Sequence, residues 1–143
     1  MKVILIDPIR HSVGLLECSK GIDAMYALLT DKPNGLVCDC FTAIQLDRRN
    51  ALYVDDNGLL KDPRYFFIWR GYQQPLAGRG LIMGVREDGE SISTNLDPAS
   101  VIKNVQFMEL SVQGFEHYTG KTQLHGKEFA VIGNRPVFGP PRG

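Results

Sequence analysis

A chain of 143 residues, 43% hydrophobic and 22% charged, has the size and composition of one globular domain able to bury a core without disulfide staples. Its 16 Lys and Arg balance 16 Asp and Glu. Zero net charge argues against an acidic DNA mimic, and against a duplex nucleic acid binder whose affinity would rest on many unbalanced cations.

In the opening MKVILIDP only Val3 to Ile6 is an apolar run, and Asp7-Pro8 ends it. That is too short for a signal peptide, and far short of the roughly 20 apolar residues of a membrane span. No membrane association and a cytoplasmic location are the expectation, and three cysteines, an odd number, fit a reducing compartment.

Val3 to Ile6 reads as a buried strand stopped by a turn, with His11 to Cys18 as its hairpin partner. Ile22, Met25, Tyr26 and Leu29 fall at i, i+3, i+4 and i+7, on one face of a helix. Ser19 or Asp23 is suited to cap it, and Lys32-Pro33-Asn34-Gly35 ends it. Leu36 to Leu46 alternates as a strand, Asp47 to Asn50 is a polar turn, and Ala51 to Val54 is a further strand. Asp55-Asp56-Asn57-Gly58 carries hairpin-turn chemistry, because Asn and Gly accept positive φ. Tyr65 to Arg70 is an aromatic-rich strand, and Gly80 to Val85 is another, closed by the turn signal Glu87-Asp88-Gly89. Asp97-Pro98 reads as an N-cap and first helical residue of a short helix to about Asn104, followed by a strand at Val105 to Leu110.

Beyond Leu110 the periodicity fades. Glycines recur among polar residues, and only Phe129 to Ile132 resembles a strand. These features predict an α+β fold: a mainly antiparallel sheet with one principal helix packed on one face and a short second helix. Residues 1–110 form the domain, and 111–143 a partly extended C-terminal extension.

Several motifs fail on context. Tyr118 to Thr122 (YTGKT) hints at a phosphate loop, but five residues separate Gly114 from Gly120 where the motif has four, and no helix follows. Gly78-Arg79-Gly80 leads into an apolar strand and not a helix, so it cannot hold a pyrophosphate; a tight turn or a bulge suits its glycines better. Cys38 and Cys40 lack the spacing of a zinc knuckle and read as small buried hydrophobes. Asp55-Asp56 fits a turn better than a metal site, and no nucleophile elbow occurs. No cofactor and no metal are expected.

One stretch, Leu52 to Gly84, concentrates the remaining signal. Around it Lys61, Arg64, Arg70, Arg79 and Arg86 face a single acid, Asp62, and are interleaved with Tyr65, Trp69 and Tyr72. Aromatics with arginines make protein-binding hot spots, and also surfaces that hold anions or stack bases. The candidate partner- or ligand-binding residues are therefore Arg64, Tyr65, Trp69, Arg70, Tyr72, Arg79 and Arg86.

Tyr53 to Leu60 (YVDDNGLL), Pro75 to Gly84 (PLAGRGLIMG) and the turn Glu87-Asp88-Gly89 also carry a resemblance. With the opening strand Lys2 to Asp7, the chain to about residue 109 resembles a domain-of-unknown-function family of phages, plasmids and gut-bacterial mobile elements. The resemblance implies an accessory gene product; it brings no catalytic residue, cofactor or substrate. The expectation is a non-enzymatic accessory protein of a phage or other mobile element that binds a host or phage protein. The alternative is a protein that binds a nucleotide-like or other anionic small molecule, by sequestering or sensing it. A metal-assisted hydrolase using Asp55 and Asp56 is the weaker alternative.

Overall fold

The computed structural model describes residues 1–141. Strands hold 51% of the chain and helices 14%, so the fold is mostly antiparallel β. The elements are β1 (Lys2–Asp7), β2 (Ser12–Glu17), α1 (Ile22–Leu29), β3 (Phe41–Gln45), β4 (Asn50–Asp55), β5 (Tyr65–Trp69), β6 (Leu76–Ala77), β7 (Gly80–Val85), β8 (Ser91–Ile92), α2 (Pro98–Ile102), β9 (Val105–Glu109), β10 (Ser111–Leu124) and β11 (Lys127–Gly139). Among the described residues no helix is long and apolar enough to cross a membrane.

The main sheet runs β2-β1-β7-β4-β3, with β8 continuing beside β7. Its centre is β7, which pairs antiparallel with β1 on one side and β4 on the other. Register places Ile4, Ile82 and Leu52 side by side, and Leu5, Leu81 and Tyr53 in the next row. Because side chains alternate, these rows face opposite ways. Ile4, Ile6, Leu52, Val54 and Ile82 pack with Phe67, Leu76 and Val101. On the other face Val3, Leu81 and Met83 pack with Met25, Leu29, Cys18 and Cys38. Both faces being covered explains why Gly80–Val85 reads as a continuous apolar run.

The first of these faces is covered by a second sheet, β6-β5-β9, together with α2. Here Phe67 lies so close to β7 that a Cβ on Gly80 would come within 2.7 Å of its Cζ and 2.9 Å of Leu52 Cδ1. At Gly84 a Cβ would meet the Ser93 carbonyl at 2.6 Å. Close packing, and not a ligand, accounts for both glycines.

This architecture corrects the α+β expectation. There is no principal packed helix: α1 has eight residues, of which only Met25 and Leu29 are buried. Its N-cap is Gly21, without a side-chain cap bond from Ser19 or Asp23. Helical periodicity correctly found the segment, but periodicity says nothing about how much core a helix supplies, and a sheet does the larger share. α2 does form as expected, with the Asp97 side chain accepting from Ser100 N–H at 2.7 Å. The hairpin expected at Asp55–Gly58 is absent. β4 pairs with β3 and β7, the chain enters a short 3-10 turn at Gly58–Leu60, and it then crosses to the second sheet. The Glu87-Asp88-Gly89 turn does close a hairpin, between β7 and β8.

The largest departure lies after Leu110. In place of one short strand, the 14-residue β10 and 13-residue β11 pair along their length from Ser111↔Gly139 to Leu124↔Lys127. His125 and Gly126 form a two-residue loop with φ of 52° and 76°, as the tight turn matching strand twist requires. A bulge between Val112 and Gly114 bends the ribbon near its base. Such a ladder reaches about 40 Å. Neither strand pairs with the other two sheets.

Candidate functional site

The seven residues singled out by the sequence do not form one surface. Arg79, on the approach to β7, is drawn into the protein. Its Nη2 lies 3.1 Å from Asp31 Oδ2 and 3.4 Å from Asp7 Oδ2, and its Nη1 donates to the carbonyls of Leu28 and Thr30. Only 13% of its side chain is exposed. Arg10 meets the same carboxylates from outside, at 2.8 Å from Asp7 and 3.1 Å from Asp31. Burial works against the Asp7 charge, but bonds from the Arg10 side chain and the Arg10 and Ile9 N–H groups hold its pKa below the ordinary value. Asn34 and Arg10 do the same for Asp31. This four-residue lattice ties β1, the α1 exit and β7 together, so the charge of Arg79 is already matched.

Arg64 and Tyr65 sit at the start of β5. The Arg64 guanidinium pairs with Glu109 across the β5–β9 ladder at 3.2 Å and lies 5.8 Å from the Tyr65 ring centroid. With Arg79 they line a cavity of about 340 Å³ that also receives Lys61, Asp55, Asp62 and Asn34. Lys61 Nζ donates to Asp55, Asp39 and the Val37 carbonyl, so its charge is matched as well. Trp69 and Tyr72 are half-buried against the core under β4 and β7. Arg70 is exposed in the turn after β5, and Arg86 pairs with Glu90 at 3.1 Å beyond the far end of β7. The structure thus brings Arg64, Tyr65 and Arg79 together and leaves Trp69, Arg70, Tyr72 and Arg86 apart. Among the described residues no group of three or more His, Cys, Asp or Glu comes together as a metal site would need.

The β10–β11 arm has a different character. Half of the large apolar side chains exposed among the described residues lie on it: Phe115, Tyr118, Phe129, Val131, Ile132 and Val137. Register separates them onto two faces. Tyr118, Val131, Phe129 and Val137 share one face, and Phe115 and Ile132 the other. The first is braced by a cross-strand ion pair between Glu116 and Arg135, whose guanidinium stacks 5.2 Å from the Tyr118 ring centroid. The Tyr118 hydroxyl folds over Gly120, where a Cβ would clash. Lys121 and Glu128 pair at 3.1 Å further out.

At its base the arm is fixed to the body by the Phe138 ring, edge-on to Phe66 at 5.6 Å, and its two ends are joined by the Ser111 hydroxyl donating to the Pro140 carbonyl at 2.7 Å. Beside the base, Gln73, Gln74 and Pro75 border an open cleft of about 800 Å³ with Tyr118, Arg135 and Phe138. The sequence reading missed these arm residues. The available signal was His125-Gly126 as a two-residue turn flanked by residues that pair in register.

The fold and arm define a two-layer antiparallel β protein carrying a long exposed β-ribbon. No family model, no curated protein and no solved structure matches the chain.

Proposed function

We propose that this protein acts by binding another protein, and that the β10–β11 arm is its contact element. One observation carries the reading. A ribbon about 40 Å long presents aromatic and aliphatic side chains on both faces, with little of the body covering it. A lone two-stranded ribbon is marginally stable in water, so an arm of this length gains its stability from whatever covers it. Tyr118, Phe129 and Arg135 are residue types that dominate interface energetics. The resemblance to accessory proteins of phages and mobile elements suits such a role, with a host or phage protein as partner.

Affinity isolation at matched expression tests this. Wild-type protein is expected to retain a stoichiometric companion polypeptide, and Phe129→Asp to lose it, while Tyr65→Ala at the cavity keeps it. Equal recovery with Phe129→Asp contradicts the proposal.

A second reading, binding of an anionic small molecule, draws on the cavity shared by Arg64, Tyr65 and Arg79. Its volume lies at the small end of ligand pockets. The carboxylates already matched to these cations weigh against it. A nucleotide panel that raises the melting temperature, with the rise abolished by Arg64→Ala, supports this reading; no shift at millimolar ligand removes it.

A further inference from the structure

We infer that the β11 edge of the arm also pairs with a second copy of this chain, edge to edge in an antiparallel, twofold-symmetric arrangement centred on Ile132, leaving both ribbon faces open to a different protein. The inference rests on the reading of the arm as the contact element.

The argument begins with the backbone. Residues flanking a two-residue hairpin loop exchange hydrogen bonds, and every second rung beyond them turns its N–H and C=O outward. Counting from Leu124↔Lys127, the outward set on β11 is Glu128, Ala130, Ile132, Asn134 and Pro136. Pro136 therefore costs the arm no bond of its own, but it offers no N–H on this edge, so Ala130, Ile132 and Asn134 carry the outward pairing. An edge strand of this length is a template for another strand.

Of the two edges, β11 is the better suited. Phe129-Ala130-Val131-Ile132 is apolar and of high β propensity, without proline or glycine. β10 carries the bulge near its base and a more polar sequence, while each strand contains two glycines.

Symmetry then fixes the register. A twofold pairing meets its own copy at one residue, and the longest pairing centres on the middle of the strand. The midpoint of Lys127–Gly139 is Gly133, whose backbone groups face β10; of the outward residues beside it, Ile132, at 72% exposed, is the most exposed apolar side chain of the arm. With Ile132 opposite itself, Phe129 falls opposite Arg135, Val131 opposite Gly133, Ala130 opposite Asn134, and Glu128 opposite Pro136. No like charges meet. The Phe129 ring comes beside a guanidinium, a favourable pair. Each arm tip runs toward the base of the other arm, where the cleft beside Gln73–Pro75 lies open.

Size sets the expected strength. Edge pairing supplies backbone hydrogen bonds and leaves both ribbon faces open, so the interface is small and a weak, reversible dimer is expected.

Sedimentation over a concentration series, up to about 100 μM, reads this directly. Wild type is expected to pass from monomer to dimer. Ala130→Pro, which blocks an outward N–H and leaves the hairpin ladder intact, and Ile132→Lys are each expected to remain monomeric. Leu60→Lys, on the body, is expected to dimerise as wild type does. In a Cys40→Ser background, a short bis-maleimide should join Ile132→Cys into dimers but leave Gln123→Cys monomeric. Wild type monomeric throughout, or dimers indifferent to Ala130→Pro and Ile132→Lys, overturns the inference. If arm-dependent capture of a different polypeptide persists in that case, the arm reading stands and the second-copy assignment falls. If neither is seen, both fall.

Discussion

The guanidinium of Arg79 and the carboxylate of Asp31 meet at 3.1 Å, joining β7 to the segment that follows α1. Asp7 and Arg10 complete the lattice. Removing Arg79 leaves two buried carboxylates facing Arg10 alone. Arg79→Met is therefore expected to lower the unfolding free energy by about 3 kcal/mol, the lower end for breaking a buried ion pair. Urea titration measures it, and a loss within experimental error would mean that the lattice is not structural.

Acid should expose the same lattice. The pKa values of Asp7 and Asp31 are held below the ordinary aspartate value of 3.8, so both bind protons less readily folded than unfolded. A depressed carboxylate adds stability above its unfolded pKa and loses it as pH falls through its folded pKa. The melting temperature is expected to vary little through this titration above about pH 5 and to fall below about pH 4. Asp31→Asn should melt lower at neutral pH but with a shallower acid slope. A slope unchanged by the substitution would remove Asp31 from the account.

Gly80 carries the contact between the two sheets. Gly80→Ala places a methyl group against Phe67 and Leu52, and is expected to cost about 1–3 kcal/mol through overpacking. Gly14→Ala, with nothing within 4 Å of the new Cβ, is the matched control on β2. Equal stability of the two variants, measured by denaturant unfolding, would contradict the packing described.

The three thiols should separate by reactivity. Burial, reinforced by the nearby Asp55 charge, pushes the Cys38 thiol up to about 11, so it stays protonated at pH 8. Cys18 is buried as well, whereas Cys40 is exposed. A chromogenic disulfide reagent should titrate one thiol quickly and two only on unfolding, and Cys40→Ser should abolish the fast phase. Two fast thiols would show that the Cys38 environment is more open.

How much of this was legible in the sequence depends on whether a residue's role is local. The short apolar runs behind β1, β4 and β7, the Asp97-Pro98 helix start and the Glu87–Gly89 turn are local and were readable. Asp55–Gly58 was misread because turn chemistry permits a reversal without saying which strands then pair. The helix at Met25 was overweighted because periodicity reports a face and not the area it covers. Arg64 and Arg79 looked like free surface charge, since their carboxylate partners Glu109, Asp7 and Asp31 lie 45 or more residues away in sequence. The arm was hidden for a different reason. With neither face buried against the body, β10 has no clean apolar–polar alternation to reveal it.

Site-specific photo-crosslinking tests the central claim, that the arm is where this protein touches another, most directly. A benzophenone side chain placed at Phe129 or Ile132 should form a discrete higher-mass adduct in lysate. The same group at Leu60, equally apolar and 72% exposed but on the body, should form none. Adducts at Leu60 with none at Phe129 or Ile132 would contradict it.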